Sequence, residues 1–137
     1  MNGVRPYSVA IDRLRAVGLR PTRQRLALVR QLFDSGDRHV SAEQLHAEVK
    51  DAGVSLATVY NTLHQLTNSG LLREVVVEPG RSYFDTNTSE HHHFYCAESG
   101  ELRDIPGDHL RVTSLPPPPP GATVCRVDVI VRISFEK

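Results

Sequence analysis

The apolar residues of this chain change their spacing once, close to Gly70, and that change limits the fold more than any other feature. Before it they recur every three or four residues, the repeat of a helix with one buried face. After it they alternate, the repeat of a strand. Four helical stretches come first. Ser8 is placed to cap the first, with Ile11, Leu14 and Val17 inward and Gly18 as its stop. Thr22 caps the second, which carries Leu26, Val29, Leu32 and Phe33 and ends before Gly36. Ser41 and Gln44 have the spacing of a capping box for the third, where Ala42, Leu45 and Val49 face inward. Ser55 starts the fourth, with a stripe of Leu56, Val59, Leu63 and Leu66 and Gly70 behind it.

"LLREVVVEPGRSYFDT" then reads as two strands around Glu78-Pro79-Gly80, a hairpin. Helices followed by a small hairpin describe a winged helix-turn-helix, a fold whose last helix enters the major groove of DNA. Further on, "HHHFYCAESGELRDI" reads as strand, Ser99-Gly100 turn, strand. "GDHLRVTSL" has the pattern of a short helix, and Pro116 to Pro120 that of a stiff spacer. "ATVCRVDVIVRISF" reads as a strand with Val127, Val129, Val131 and Ile133 on one face. The expected class is therefore α+β: an N-terminal winged helix-turn-helix over residues 1–85 and a small α/β domain over residues 86–137. A piece as small as the second buries too little apolar surface to stand comfortably alone, which favours pairing with a second copy.

The formal net charge is zero, but the charge is unevenly spread. Residues 1–38 hold eight Arg (5, 13, 15, 20, 23, 25, 30, 38) against Asp12, Asp34 and Asp37, whereas residues 86–137 hold five basic residues against seven acidic ones. A basic front end points towards nucleic acid, although a solvated helix face explains it as readily from charge alone. No apolar run is long enough for a membrane span, and the first residues lack the apolar stretch of a secretory signal. Cys96 and Cys125 make no disulfide scaffold. The expected location is the cytoplasm, with reduced thiols.

On the Ser55 helix, Thr58, Asn61, Thr62 and Gln65 lie away from the apolar stripe, with Tyr60 at the border. Ser55 and Thr58 sit at the N-terminal end, where free amides and the helix dipole favour phosphate. Asn61 has the chemistry to pair with adenine, and Tyr60 that to touch a thymine methyl or a phosphate. Thr62 and Gln65 read better as solvated positions. Arg20 and Arg23 stand at the start of the second helix, where arginine opposes the dipole and contributes little to helix stability; a phosphate or groove contact accounts for them.

"TSEHHHFYC" raises a separate question. On a strand His91 and His93 point one way and His92 the other, so two imidazoles share a face and can hold one metal ion. Asp85 precedes them at the end of the wing, and Asp104 lies on the following strand.

"GLRPTRQRLALV", "VSLATVYNTLHQL" and "SYFDTNTSEHHHFYC" together resemble the ferric uptake regulator family, from about residue 12 to about residue 105, with a looser match beyond. Asn61 after "TVY" and the histidine run look closest to its iron response regulator branch. The resemblance implies a cytoplasmic, homodimeric, metal-responsive transcription regulator, a repressor or activator, with a winged helix followed by a dimerisation and metal-sensing domain. By the same match Tyr60 and Asn61 fall where the family touches bases, and Arg20 where a basic residue reaches the minor groove. His39, Asp85, His91, His93 and Asp104 match its regulatory metal ligands. That mixed nitrogen and oxygen set, without sulfur, suits Fe²⁺ or Mn²⁺, with Zn²⁺ also binding strongly. One ion held by His39 and Asp85 on one side and by His91, His93 and Asp104 on the other would set the angle between the halves, and so the spacing of two recognition helices on palindromic double-stranded DNA.

Taken singly, each ligand has a bland reading as a surface or turn residue. His92 is open between an exposed side chain, a second site with Glu90 and Asp108 or His109, and the haem ligation associated with the iron response branch. His46 and His64 read as surface. The chain departs from the family in its cysteines: Ser99 stands where Cys96 would need a partner, and no second pair exists, so a four-thiolate zinc cannot be built. Val127 stands where a second sensory site would have a histidine. Three alternatives remain. A peroxide sensor would use Fe²⁺ at the same ligands. A metallohydrolase needs an open metal position and a general base, for which five protein ligands leave little room. A metal store leaves the winged helix unexplained. The expectation is that the chain is not an enzyme.

Overall fold

A computed structural model describes residues 7–136 of the chain; residues 1–6 and 137, with Arg5 of the basic front, lie outside the described residues. Two compact units divide it, Met1–Thr88 and Ser89–Lys137.

Among the described residues the first unit holds four α-helices, α1 (Ser8–Ala16), α2 (Arg23–Phe33), α3 (Ala42–Glu48) and α4 (Leu56–Asn68), with a 3-10 turn at Lys50–Ala52. Three strands complete it: β1 (His39–Val40), β2 (Arg73–Glu78) and β3 (Arg81–Asp85), in the order β1-β3-β2 with both pairings antiparallel. Three helix starts follow the expected chemistry. Thr22, Ser41 and Ser55 sit in extended backbone, and their side-chain oxygens accept from the amides of Arg25, Gln44 and Thr58. Each such cap is worth about 1 kcal/mol.

Two end assignments differ from the sequence reading. Ser8 lies inside α1, and Tyr7 is the cap, with no side-chain capping bond. The Tyr7 ring sits under the Arg30 guanidinium of α2, 4.6 Å away, so a tertiary contact sets where α1 begins. At α3, Gln44 does not reach back to close a capping box. Its amide donates to Glu48, which also receives both Arg38 Nη1 and Nη2, at 2.8 and 2.7 Å.

Leu14, Leu28, Val29, Leu32, Val40, Leu45, Val59, Leu63, Leu66 and Phe84 are sealed from solvent in one core, each contributing about 1.5–3 kcal/mol. Ile11, Val17, Leu26 and Phe33 are only half-buried, while Ala10 and Leu28 take interior places. On α4 the buried face is Val59, Thr62, Leu63 and Leu66. Leu56 is 37% exposed and Thr62 only 2%, the reverse of the expectation. Residues 59, 62, 63 and 66 share an arc of about 100° on a helix, and Leu56 falls just outside it on the first turn. The two-residue strand β1 escaped the sequence reading because it is too short to show a period.

The second unit contains β4 (His92–Cys96), β5 (Glu101–Ile105) and β6 (Ile130–Ile133), ordered β5-β4-β6. The β4–β5 pair is an antiparallel hairpin, whereas β6 runs parallel to β4. A parallel return needs a long crossover, and residues 106–129 supply it without helix or strand. The expected helix in "GDHLRVTSL" is therefore absent, and the expected long strand is reduced to four residues. The ladder stops at Val129 because its N–H donates to the His92 ring at Nδ1, 3.0 Å, in place of a strand carbonyl. Among the described residues this unit buries Tyr95, Cys96, Leu102 and Ile105 as its apolar core, and leaves Val112, Leu115, Val124 and Phe135 exposed.

Candidate metal centre and nucleic-acid interface

In the second unit β4, the residue just before it and β5 bring three donors together. His93 stands opposite Asp104 in the ladder. His93 Nε2 lies 3.3 Å from Asp104 Oδ1, and His91 Nε2 lies 3.5 Å from the same oxygen. The two rings meet edge to face with centroids 4.5 Å apart. Both histidines are buried, at 7% and 1% exposure, while the Asp104 side chain is 52% exposed. Two nearly sealed imidazoles around one carboxylate oxygen are a costly arrangement unless something satisfies their ring nitrogens.

His91 settles its own tautomer. Its Nδ1 lies 2.7 Å from the carbonyl oxygen of Ser89. A carbonyl only accepts, so Nδ1 carries the proton in the neutral ring and Nε2 directs a lone pair at Asp104 and His93. This is the outer hydrogen bond by which a metal-binding histidine is oriented. His91, His93 and Asp104 offer donor atoms within 4.8 Å of one another, so the residues present fit a divalent cation.

His92 behaves differently. Its Nδ1 accepts from Val129, so its Nε2 carries the proton in the neutral ring, and no lone pair is left for an iron or zinc. Glu90 and His92 line a groove with Ile105 and Cys125, whereas Asp108 and His109 contact each other at 3.7 Å on the exposed crossover. Among the described residues these four form no cluster of metal donors. Cys96 is buried, and hydrogen bonds from the Ser99 side chain and backbone hold its thiol below the ordinary range. Cys125 is exposed and precedes β6 rather than lying on it.

In the first unit His39 and Asp85 face each other across β1 and β3. Asp85 is 1% exposed, and its Oδ1 accepts from the Asn87 amide at 2.9 Å, which fixes the carboxylate. Arg73 is its register partner on the other side, on β2, and is also buried.

The helix surface that faces outward combines Leu56, Ala57, Tyr60, Asn61, His64 and Gln65. Ser55 is exposed, but its hydroxyl both caps the helix and donates to Thr58 Oγ1 at 3.0 Å, so Thr58 rather than Ser55 retains an uncommitted proton. Gln65 accepts from Arg25, which ties the start of α2 to α4. The basic front sorts into two groups. Arg13 lies over Phe33, Arg30 pairs with Asp34, Arg38 pairs with Glu48, and Arg25 bonds Arg20 O. Arg15, Arg20 and Arg23 are exposed and make no side-chain bond among the described residues. Arg15 was not singled out from sequence; nothing in its neighbours distinguishes it from Arg13.

A sequence model of the ferric uptake regulator family matches residues 16–114. The chain belongs to that family. Within it, the chain is 35% identical over 98 residues to the ferric uptake regulation protein of Vibrio cholerae, covering 69% of this chain and 65% of that protein. The match thus spans slightly less than two thirds of that relative's length. The solved structure of the Vibrio cholerae ferric uptake regulator superposes with a TM-score of 0.69 at 24% identity, over 90% of this chain and 97% of that one. The Pseudomonas aeruginosa regulator solved with manganese gives 0.65 at 23%, over 97% and 100%. These neighbours share the fold, which bears out the α+β class and the winged helix.

Proposed function

We propose that the chain is a metal-responsive, DNA-binding transcription regulator, working as a homodimer in the cytoplasm and not as an enzyme. The observation that carries this is the buried pair His91 and His93 around Asp104, with the Ser89 carbonyl turning the His91 lone pair inward. His39 and Asp85, opposed in the first unit, complete the proposed ligand set. The bound cation, Fe²⁺ or Mn²⁺ by donor type, would supply a cross-link between ligands of the two units. The chain's own residues do the rest. The α4 surface with Thr58, Tyr60 and Asn61 meets base edges, and Arg20 and Arg23 bind phosphate or the minor groove.

A second copy is supported by the second unit, whose thin core and exposed Val112, Leu115, Val124 and Phe135 call for a covering surface. Asn61 after Tyr60 and the 91–93 histidine run support the iron response branch. Haem ligation by His92 stands outside the reading, because its Nδ1 already serves Val129.

The test is DNA affinity of the full-length protein, apo and with Mn²⁺, Fe²⁺ or Zn²⁺, beside its mass in solution. A dimer whose affinity for a palindromic duplex changes with metal is expected. An affinity indifferent to every ion, or no DNA binding in either state, overturns the proposal.

A further inference from the structure

Tyr60 is held from two sides. Its hydroxyl donates to Glu43 Oε1 on α3 at 2.5 Å. Its ring stacks on His64 at 6.3 Å with 19° between planes, and His64 meets the edge of Phe84 on β3 at 5.6 Å. These side chains, with Ser41 and Arg81, line a groove of about 530 Å³ wholly within the first unit. Yet Tyr60 remains 37% exposed, so it is positioned without being covered.

A phenol has one proton to give. Once Glu43 has taken it, the Tyr60 oxygen can only accept. A phosphate oxygen also only accepts, so no Tyr60–phosphate hydrogen bond forms while the Glu43 bond stands. The Tyr60 bond, and then the backbone bond at Glu43 and the charge of Arg81, hold the Glu43 carboxyl below its ordinary value, so it is ionised at neutral pH. An anion beside the phenol repels a phosphate as well. A base edge suffers neither objection.

We propose that Glu43 is a specificity-determining positioning residue: it commits the only proton of Tyr60, excludes phosphate from that place, and leaves the ring to base edges. This rests on the reading that α4 enters the major groove. Glu43 works here by penalising the wrong contact as much as by building the right one. It would not be found from sequence, where it reads as a first-turn acid of α3 favoured by the helix dipole.

The test uses the full-length protein with Mn²⁺ and two DNA probes. One is the duplex that the wild type enriches from a random-sequence library; the other is the same duplex with its bases shuffled. The readout is the ratio of affinities. Glu43→Ala is expected to lower that ratio about tenfold, mostly by binding the shuffled duplex more tightly. Glu43→Gln keeps an acceptor for the phenol and loses only the charge, so its fall is smaller. Tyr60→Phe cannot donate to phosphate, so adding Glu43→Ala to it lowers the ratio less than Glu43→Ala does alone. The Tyr60 phenol, followed by ultraviolet titration as wild type minus Tyr60→Phe, ionises above its ordinary value because of Glu43, and falls back towards it in Glu43→Gln. An unchanged ratio in Glu43→Ala, or strictly additive effects with Tyr60→Phe, overturns the proposal and leaves Glu43 a helix-end charge. An unchanged ratio in Tyr60→Ala sinks the α4 reading itself, and this proposal with it.

Discussion

His39 and Asp85 stand opposite each other across β1 and β3, and their chain neighbours lock that register. The Thr86 amide donates to the Arg38 carbonyl at 2.9 Å, and the Arg38 amide donates to Thr86 Oγ1 at 2.8 Å. His39, one of the first unit's two proposed ligands, is thus presented by a two-residue strand that Thr86 holds against the end of β3, where Asp85 lies. Thr86→Val keeps the shape and removes the hydroxyl. It is expected to weaken Mn²⁺ binding by about 10- to 100-fold, the effect of losing an outer support, with helix content unchanged by circular dichroism. Unaltered Mn²⁺ affinity would detach β1 from the site.

His91→Ala and His93→Ala remove two buried imidazoles. Each should weaken Mn²⁺ binding more than Thr86→Val does, and the double variant should lose metal-dependent DNA binding while still unfolding cooperatively. Calorimetric titration and thermal melts read both. A double variant with full metal response would show that the ligands lie elsewhere.

Arg20 and Arg23 are exposed, whereas Arg30 is engaged with Asp34 and Tyr7. If the first two meet phosphates, Arg20→Ala and Arg23→Ala should each reduce the slope of log affinity against log salt by about one. Arg30→Ala should leave it nearly unchanged. Equal slopes across all three would return the basic front to a solvated face.

Glu48 titrates below its ordinary value of 4.5, chiefly through its hydrogen bond from Arg38, with help from Gln31 and Gln44. A carboxyl whose folded value is depressed stabilises the protein above its unfolded value, and that contribution disappears as pH falls through the folded one. Arg38→Gln should therefore be less stable than wild type at about pH 7, with the gap narrowing below about pH 4. Urea midpoints at the two ends of that range check it; a gap that widens on acidification contradicts it.

Thr22→Ala and Ser41→Ala remove side chains that accept from Arg25 and Gln44 amides. Each should cost about 1 kcal/mol, and the pair about 2, since the caps share no partner. Ser8→Ala, at a residue that makes no capping bond, should cost much less.

Much of the molecule was legible in one dimension. Spacing revealed α2, α3, α4 and the β2–β3 hairpin, because each depends on neighbours within about four residues or on the turn at Pro79-Gly80. Alternation alone put His91 and His93 on one face, and the structure brings both against Asp104. The family resemblance, carried by short motifs, is borne out by the match over residues 16–114.

What local sequence determined, then, is which residues cap, turn and alternate, since those preferences act through bonds a few atoms long. Only the tertiary structure decided where α1 starts, because Arg30 holds Tyr7; which face of α4 is buried, because Thr62 packs inward and Leu56 does not; and how short β6 is, because His92 takes the Val129 amide. Only it, too, set Glu43 against Tyr60, two residues seventeen apart in the chain. Such pairings cost chain entropy that local preference cannot offset, and only a closed core holds them in place.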